Sequence, residues 1–257
     1  MFEQSILDKL SNRQTPFYYY DVGVLRSTCE TLKSEASASG YKVHYAVKAN
    51  ANPRLLEIIS SYGFGADCVS FNEIDCAMRA GFSPSEIVFA GVGKTDRDIE
   101  AALKSDIFCF NCESIPEIEV INSIASGTGK TASIALRINP NVSAHTHKYI
   151  TTGIHENKFG INIWDLEEVM NRLKSLDNVR FRGIHFHIGS QITRMSVFRS
   201  LCSKINELQD WFASIDAELE IINLGGGLGI DYEDPEKPAR FQNYFRLVNE
   251  YIRLRPG

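Results

Sequence analysis

Residues 43–53 read VHYAVKANANP, with Lys48 at the end of an apolar, β-branched run. A lysine amine there is either a hydrated surface charge or, where desolvation and neighbouring charge lower its proton affinity, a nucleophile able to form a Schiff base. Gly225-Gly-Gly-Leu-Gly229 follows another apolar run. It can present consecutive backbone N–H groups to an anion such as phosphate with no Cβ in the way, although the same glycines also suit a tight turn of positive φ. The run departs from the dinucleotide spacing G-x-G-x-x-G. His185-Phe-His187 alternates along a strand pattern, so both imidazoles share a face. They are candidates for metal ligation, for packing flat on an aromatic ligand, or for plain core histidines. His145-Thr-His147 falls in a polar stretch that by itself reads as a surface loop. Cys109-Phe-Asn-Cys112 lacks a second ligand pair for zinc and reads as a buried strand with small thiols.

The elements that would hold these residues alternate along the chain. Seven apolar or β-branched runs, at 43–47, 65–69, 87–90, 107–111, 132–138, 183–187 and 220–224, are separated by helical patterns at 53–62, 71–80, 96–104, 115–125, 163–176 and 197–213, and another helical pattern follows at 241–253. Cap signals open several of these helices, among them Asn52-Pro53, Thr95-Asp96 and Ser114-Ile115-Pro116. Such a rhythm builds parallel βα units, and a (β/α)₈ barrel places its chemistry at the C-terminal strand ends. There the sequence puts Lys48, Asp67, residues 91–94, Asn111, Arg137, Asn139, His187 and the glycine run. Asp67 is the only carboxylate expected on an inner strand end, which is thin for a metal site. The seven runs predict a barrel that stops before its eighth strand. Pro16-Phe-Tyr-Tyr-Tyr-Asp21 reads as an extra strand, followed by a helix over 22–37. The expected division is residues 1–40, which would join another domain, and residues 41–257, an incomplete barrel.

A chain of 257 residues that is 44% hydrophobic suffices for a large core, and a net charge of −5 with pI near 5.7 disfavours a nucleic-acid partner. No apolar stretch approaches the roughly 20 residues that span a bilayer, and the polar start lacks the pattern of a signal peptide. The six cysteines show no disulfide-scaffold spacing. These features predict a cytoplasmic protein with a small-molecule ligand and no membrane partner.

Several strings together carry a resemblance. Tyr45-Ala-Val-Lys-Ala-Asn50, Ala66-Asp-Cys-Val-Ser70 with Glu73, Leu136-Arg-Ile-Asn-Pro140, His145-Thr-His-Lys-Tyr-Ile-Thr-Thr-Gly153, Lys158-Phe-Gly160, His187-Ile-Gly-Ser-Gln191 and the glycine run resemble the fold-type III pyridoxal-phosphate-dependent amino-acid decarboxylases. The resemblance is strongest to the branch acting on meso-2,6-diaminopimelate, and it covers essentially the whole chain. It implies an alanine-racemase-like (β/α)₈ TIM-type barrel that binds pyridoxal 5'-phosphate, truncated before the eighth strand and lacking the C-terminal β-domain. It implies that Lys48 holds the cofactor as a Schiff base, that His187 stacks on its ring, and that Ser190, Gly225, Gly226 and Gly227 bind its phosphate. Asp67 and Arg137 would help to position it. The implied reaction removes CO₂ from the D-centre of meso-diaminopimelate to give L-lysine, in a homodimer with active sites at the interface. A Glu-x-Gly-Arg segment, a proton-donating Cys and most substrate-gripping residues are implied to lie beyond residue 257. Asn223 stands where relatives often carry Asp. Other readings are a related decarboxylase of the carboxynorspermidine or ornithine/arginine type, a non-catalytic carrier of the cofactor, and a zinc-dependent barrel hydrolase.

Overall fold

The computed structural model of the protein describes residues 4–141, 159–233 and 240–255. Strands β1 (His44–Ala46), β2 (Gly65–Cys68), β3 (Ile87–Phe89), β4 (Cys109–Cys112), β5 (Ala132–Asn139), β6 (Ile161–Asn162), β7 (Val179–His185) and β8 (Ile221–Asn223) alternate with helices. Every pairing is parallel, in the order β1-β2-β3-β4-β5-β7-β8, with the two-residue β6 beside β5 off this path. The result is a seven-strand partial (β/α) barrel, and the seven strands fall where the apolar runs predicted them.

Side-chain alternation divides the sheet into two faces. Ala66, Cys68, Ile87, Phe89, Phe110, Cys112, Ile134, Leu136 and Ile184 point outward into the main core. There they meet α3 (Pro53–Ser60), α4 (Phe71–Arg79), α5 (Asp96–Lys104), α6 (Ile115–Thr128), α7 (Leu166–Leu173) and α8 (Met195–Ser214), through residues such as Leu56, Ile74, Ile99, Ile118, Val169 and Ile205. The opposite parity, Val88, Cys109 and Ala135 with Ile221 beside them, forms a small apolar cluster in the lumen. Farther along the same lumen face come Asp67, Asn111, Arg137, His185 and Asn223, so the lumen is apolar at its floor and polar toward the C-terminal strand ends. Helix starts follow local chemistry. Asn52 Oδ1 accepts from Arg54 N at 3.0 Å beside Pro53, and Thr95 and Asp98 form a reciprocal capping box.

Several expected elements are corrected. Among the described residues, 16–21 pair with no strand. Instead Asp21 caps α2 (Val22–Ala38), its Oδ1 accepting from Val24 N at 3.0 Å. Helix α1 (Gln4–Leu10) is an addition to the expected set. The helix expected over 163–176 is a 3₁₀ turn, Ile163–Asp165, followed by the shorter α7, and the last helix, α9, runs Phe241–Tyr251.

Candidate active site

Lys48 does not occupy the last position of a strand. β1 ends at Ala46 and the chain tightens into a 3₁₀ turn, Val47–Ala49, whose first residue is fully buried while Lys48 is exposed. The turn is held from several sides. Asn50 N donates to Val47 O at 3.1 Å, Tyr45 Oη donates to Asn50 O at 3.2 Å, and Asn50 Nδ2 donates to Tyr20 Oη at 3.0 Å. Asn50 Oδ1 in turn accepts from Asn52 N at 3.0 Å, which ties the turn to the start of α3. Among the described residues the Lys48 ammonium has no ion-pair partner.

The polar lumen residues converge beyond it. Cα pairing sets Ala46 beside Asp67, and aligns Arg137 with His185 and His185 with Asn223. Arg137 Nη1 donates to Glu113 Oε1 at 2.8 Å, and its guanidinium lies 5.6 Å from the Phe159 ring centre. Four buried polar atoms here, Asp67 Oδ1, Asn111 Nδ2, Glu113 Oε2 and His185 Nδ1, have no partner among the described residues, which is costly unless a ligand or water meets them. Burial raises the Asp67 carboxyl to about 6 against the pull of Lys48. Burial, then the charges of Arg137 and Lys48, lower His187 to about 4, and His185 is held well below the ordinary imidazole value by burial first and Arg137 next. Both imidazoles are therefore neutral at pH 7, while Asp67 is mostly ionised.

Two loops form the other wall. After β7 the chain leaves the strand at His185, so Phe186 and His187 lie just past it rather than on it. Phe186 N donates to Asn223 O at 2.9 Å, and Ile192 pairs with Leu228 through Ile192 N to Gly227 O at 2.8 Å and Gly229 N to Ile192 O at 3.0 Å. Asn223 Oδ1 accepts from Gly225 N at 2.9 Å, so Asn does there what an Asp would do. Gly225 and Gly227 adopt φ of +71° and +104°, and a Cβ on them would stand 2.0 Å from Phe186 O and 2.3 Å from Gly189 O. Only glycine fits this close loop-on-loop approach. The Gly226 and Gly227 amides have no acceptor among the described residues, and Ser190 is exposed beside them in the 186–192 loop.

The structure thus brings Lys48, Asp67, Arg137, His187, Ser190, Gly225, Gly226 and Gly227 to one end of the barrel. Residues 145–147 and Lys158 lie outside the described residues. Cys109 and Cys112 are both buried in β4, and burial pushes the Cys109 thiol up to about 12. Sequence reasoning missed Glu113, the carboxylate that holds Arg137, because a residue directly ahead of a helix cap looks like a solvated charge. The only available signal was its place one residue after the strand carrying Asn111.

A parallel barrel with a lysine on the turn after its first strand and a glycine cradle after its last described strand defines a class of cofactor-binding barrel. The family described as "Pyridoxal-dependent decarboxylase, pyridoxal binding domain" matches residues 23–255, and the chain belongs to it; its cofactor is pyridoxal 5'-phosphate. The chain is 53% identical over 253 residues to a diaminopimelate decarboxylase of Bacteroides thetaiotaomicron, covering 97% of this chain and 66% of the relative. It is 37% identical over 238 residues to that of Aquifex aeolicus, covering 93% and 56%. The crystal structure of diaminopimelate decarboxylase from Helicobacter pylori complexed with L-lysine superposes with a TM-score of 0.85 at 34% identity, covering 96% of this chain and 62% of that one. The arginine decarboxylase of Paramecium bursaria Chlorella virus gives 0.76 at 26% identity, with coverage of 96% and 63%. The chain therefore spans less than two thirds of the length of each of these relatives. No helix among the described residues is long and apolar enough to cross a membrane.

Proposed function

We propose that the chain is the cofactor-binding barrel of an enzyme that decarboxylates meso-2,6-diaminopimelate at its D-centre to L-lysine. The observation that carries the substrate is the likeness to diaminopimelate decarboxylases, 53% identical over nearly the whole chain, set against 26% for an arginine decarboxylase. The mouth fits the cofactor on its own terms. It offers a free amine at Lys48, a cradle in which Gly225 and Gly227 leave no room for a Cβ, unpaired glycine amides, and orphaned lumen polar atoms.

On this reading Lys48 holds the cofactor covalently through its amine. Ser190 Oγ and the amides of Gly225, Gly226 and Gly227 bind the phosphate as a preformed anion nest, although the Gly225 amide is already engaged by Asn223 and contributes mainly by shape. His187, neutral because it is buried beside Arg137 and Lys48, packs against the ring without adding a positive charge there. Asp67 and Arg137 orient the cofactor's polar edge. The bound cofactor supplies an electron sink for the charge left when CO₂ departs. Residues 1–40, with exposed Phe17, Tyr18 and Tyr20, join a β-rich domain of the longer protein, which acts as a homodimer in the cytoplasm.

The full-length protein supplied with pyridoxal 5'-phosphate is expected to show a yellow absorbance band that borohydride bleaches and fixes. Lys48→Ala is expected to lose both the fixation and all lysine formation from meso-diaminopimelate. A protein that binds the cofactor but releases CO₂ from arginine, ornithine or carboxynorspermidine instead would overturn the substrate; zinc binding without any chromophore would overturn the cofactor site.

A further inference from the structure

Lys94, in the loop between β3 and α5, has a side chain only 1% exposed. A buried ammonium is tolerated where its donors are all met, and here they are. Lys94 Nζ donates to Gly91 O at 2.8 Å, to Asn111 O at 3.0 Å and to Glu117 Oε1 at 2.6 Å. The second oxygen of Glu117 accepts from Glu113 N at 2.7 Å, and Glu113 Oε1 accepts from Arg137 at 2.8 Å. Three consecutive links thus run from the loop after β3, through the first turn of α6, to a guanidinium on the lumen face of β5.

Charge balance gives the chain of contacts a direction. Glu113 and Glu117 are two carboxylates on nearly adjacent turns, and Lys94 and Arg137 are the two cations that meet them. Without Lys94, Arg137 faces both carboxylates alone and is drawn back from the lumen toward Glu117. We propose that Lys94 is a positioning residue of the mouth, fixing through Glu117 and Glu113 where the Arg137 guanidinium stands. The inference rests on reading the mouth as the cofactor site, which Lys94 itself does not touch.

His187 reports on this arrangement. Among the described charged groups it responds to Arg137 and Lys48, whereas His185 also responds directly to Lys94. The His187 titration midpoint, followed by NMR in full-length, cofactor-free protein with labelled histidine and assigned with His187→Gln, therefore separates a moved Arg137 from a merely deleted lysine charge. Lys94→Met is expected to raise that midpoint by about one pH unit, in the same direction as Arg137→Met, and to add nothing in an Arg137→Met background. Glu117→Asp keeps the charge but shortens the link; it is expected to shift the midpoint the same way, and it decides the matter if Lys94→Met does not fold. The folded variants are also expected to bind pyridoxal 5'-phosphate at least about tenfold more weakly, a loss of ~1.4 kcal/mol. A His187 midpoint that Arg137→Met leaves unmoved, or that Glu117→Asp leaves unmoved, or that shifts additively in the double variant, would overturn the proposal. Failure of the wild-type protein to bind the cofactor would instead overturn the cofactor reading, and the His187 titration would still judge the network.

Discussion

Replacing Gly225 by alanine tests the cradle most directly, because the damage can be worked out from the backbone. At φ +71° an alanine pays the left-handed penalty of roughly 1–2 kcal/mol. Its Cβ would also lie 2.0 Å from Phe186 O, where ordinary contact begins at 3.4 Å, so one loop must recede by the difference, 1.4 Å. A shift of that size breaks two of the bonds that join the loops, Ile192 N to Gly227 O and Gly229 N to Ile192 O, at about 0.5–1.5 kcal/mol each. The sum is roughly 2–5 kcal/mol. It falls on the loops proposed to hold the phosphate and leaves the helix-covered core untouched. Affinity for pyridoxal 5'-phosphate is therefore expected to fall by about 30-fold to several thousand-fold. Gly226→Ala is the internal control, since a Cβ there meets nothing within 4 Å and the residue carries no positive φ. Absorbance titration with the cofactor, alongside circular dichroism to confirm folding, distinguishes the two variants. The reasoning is refuted if Gly225→Ala binds within about threefold of wild type, a difference of under ~1 kcal/mol, or if Gly226→Ala is equally damaged.

Acid stability of the cofactor-free protein is expected to reflect opposing groups, two of which can be separated by mutation; His185 and His44, both lowered by burial, act in the same sense as His187. His187 binds its proton near pH 4 when folded and near 6.5 when unfolded, so stability worth about 3 kcal/mol is lost as pH falls through that window. Asp67, raised to about 6 from 3.8, takes up its proton first in the folded state and adds stability over the same fall. Urea midpoints at pH 4.5 and 7 should show His187→Gln flattening the acid loss and Asp67→Asn steepening it; the reverse pattern would contradict the burial assigned to both. Five of the six cysteines are buried, and Cys76 alone is partly exposed. Peptide mapping after brief native alkylation should find Cys76 modified well ahead of Cys29, Cys68, Cys109, Cys112 and Cys202.

Much of the architecture was legible because the first four strands are short and cap residues such as Asn52, Thr95 and Ser114 open helices that follow them. Ser114 announces α6, and Ser70, whose cap the structure adds, opens α4 in the same way; both accept the amide of the Glu three residues on, at 3.3 Å. The glycine run met both needs its sequence suggested at two positions, since Gly225 and Gly227 combine a positive φ with a close backbone approach. The rest depended on tertiary placement. Pro16–Asp21 has the composition of a strand, but strand propensity needs a partner edge to become a ladder. The role of Glu113 was invisible because local sequence does not say that Arg137, 24 residues later, reaches across from the next strand. The partners of Lys94 were hidden for the same reason, since its three acceptors come from a loop, strand β4 and helix α6, which only the folded sheet brings together.

The turn carrying Lys48 separates rigidity from reach. The turn is closed by Asn50 N to Val47 O and tied through Asn50, by its carbonyl to Tyr45 and by its side chain to Tyr20 and Asn52, while the Lys48 side chain stands exposed and without an ion-pair partner among the described residues. Motion of the amine is thus confined to four side-chain torsions on a stationary post. Attaching a ligand there freezes those torsions at a cost of about 1.5–2 kcal/mol, without the further 1–2 kcal/mol per residue of ordering a floppy loop. A molecule gripped at one end by the glycine amides and at the other by this amine would be a span between two fixed piers, free to tilt about its length while its ends keep their place.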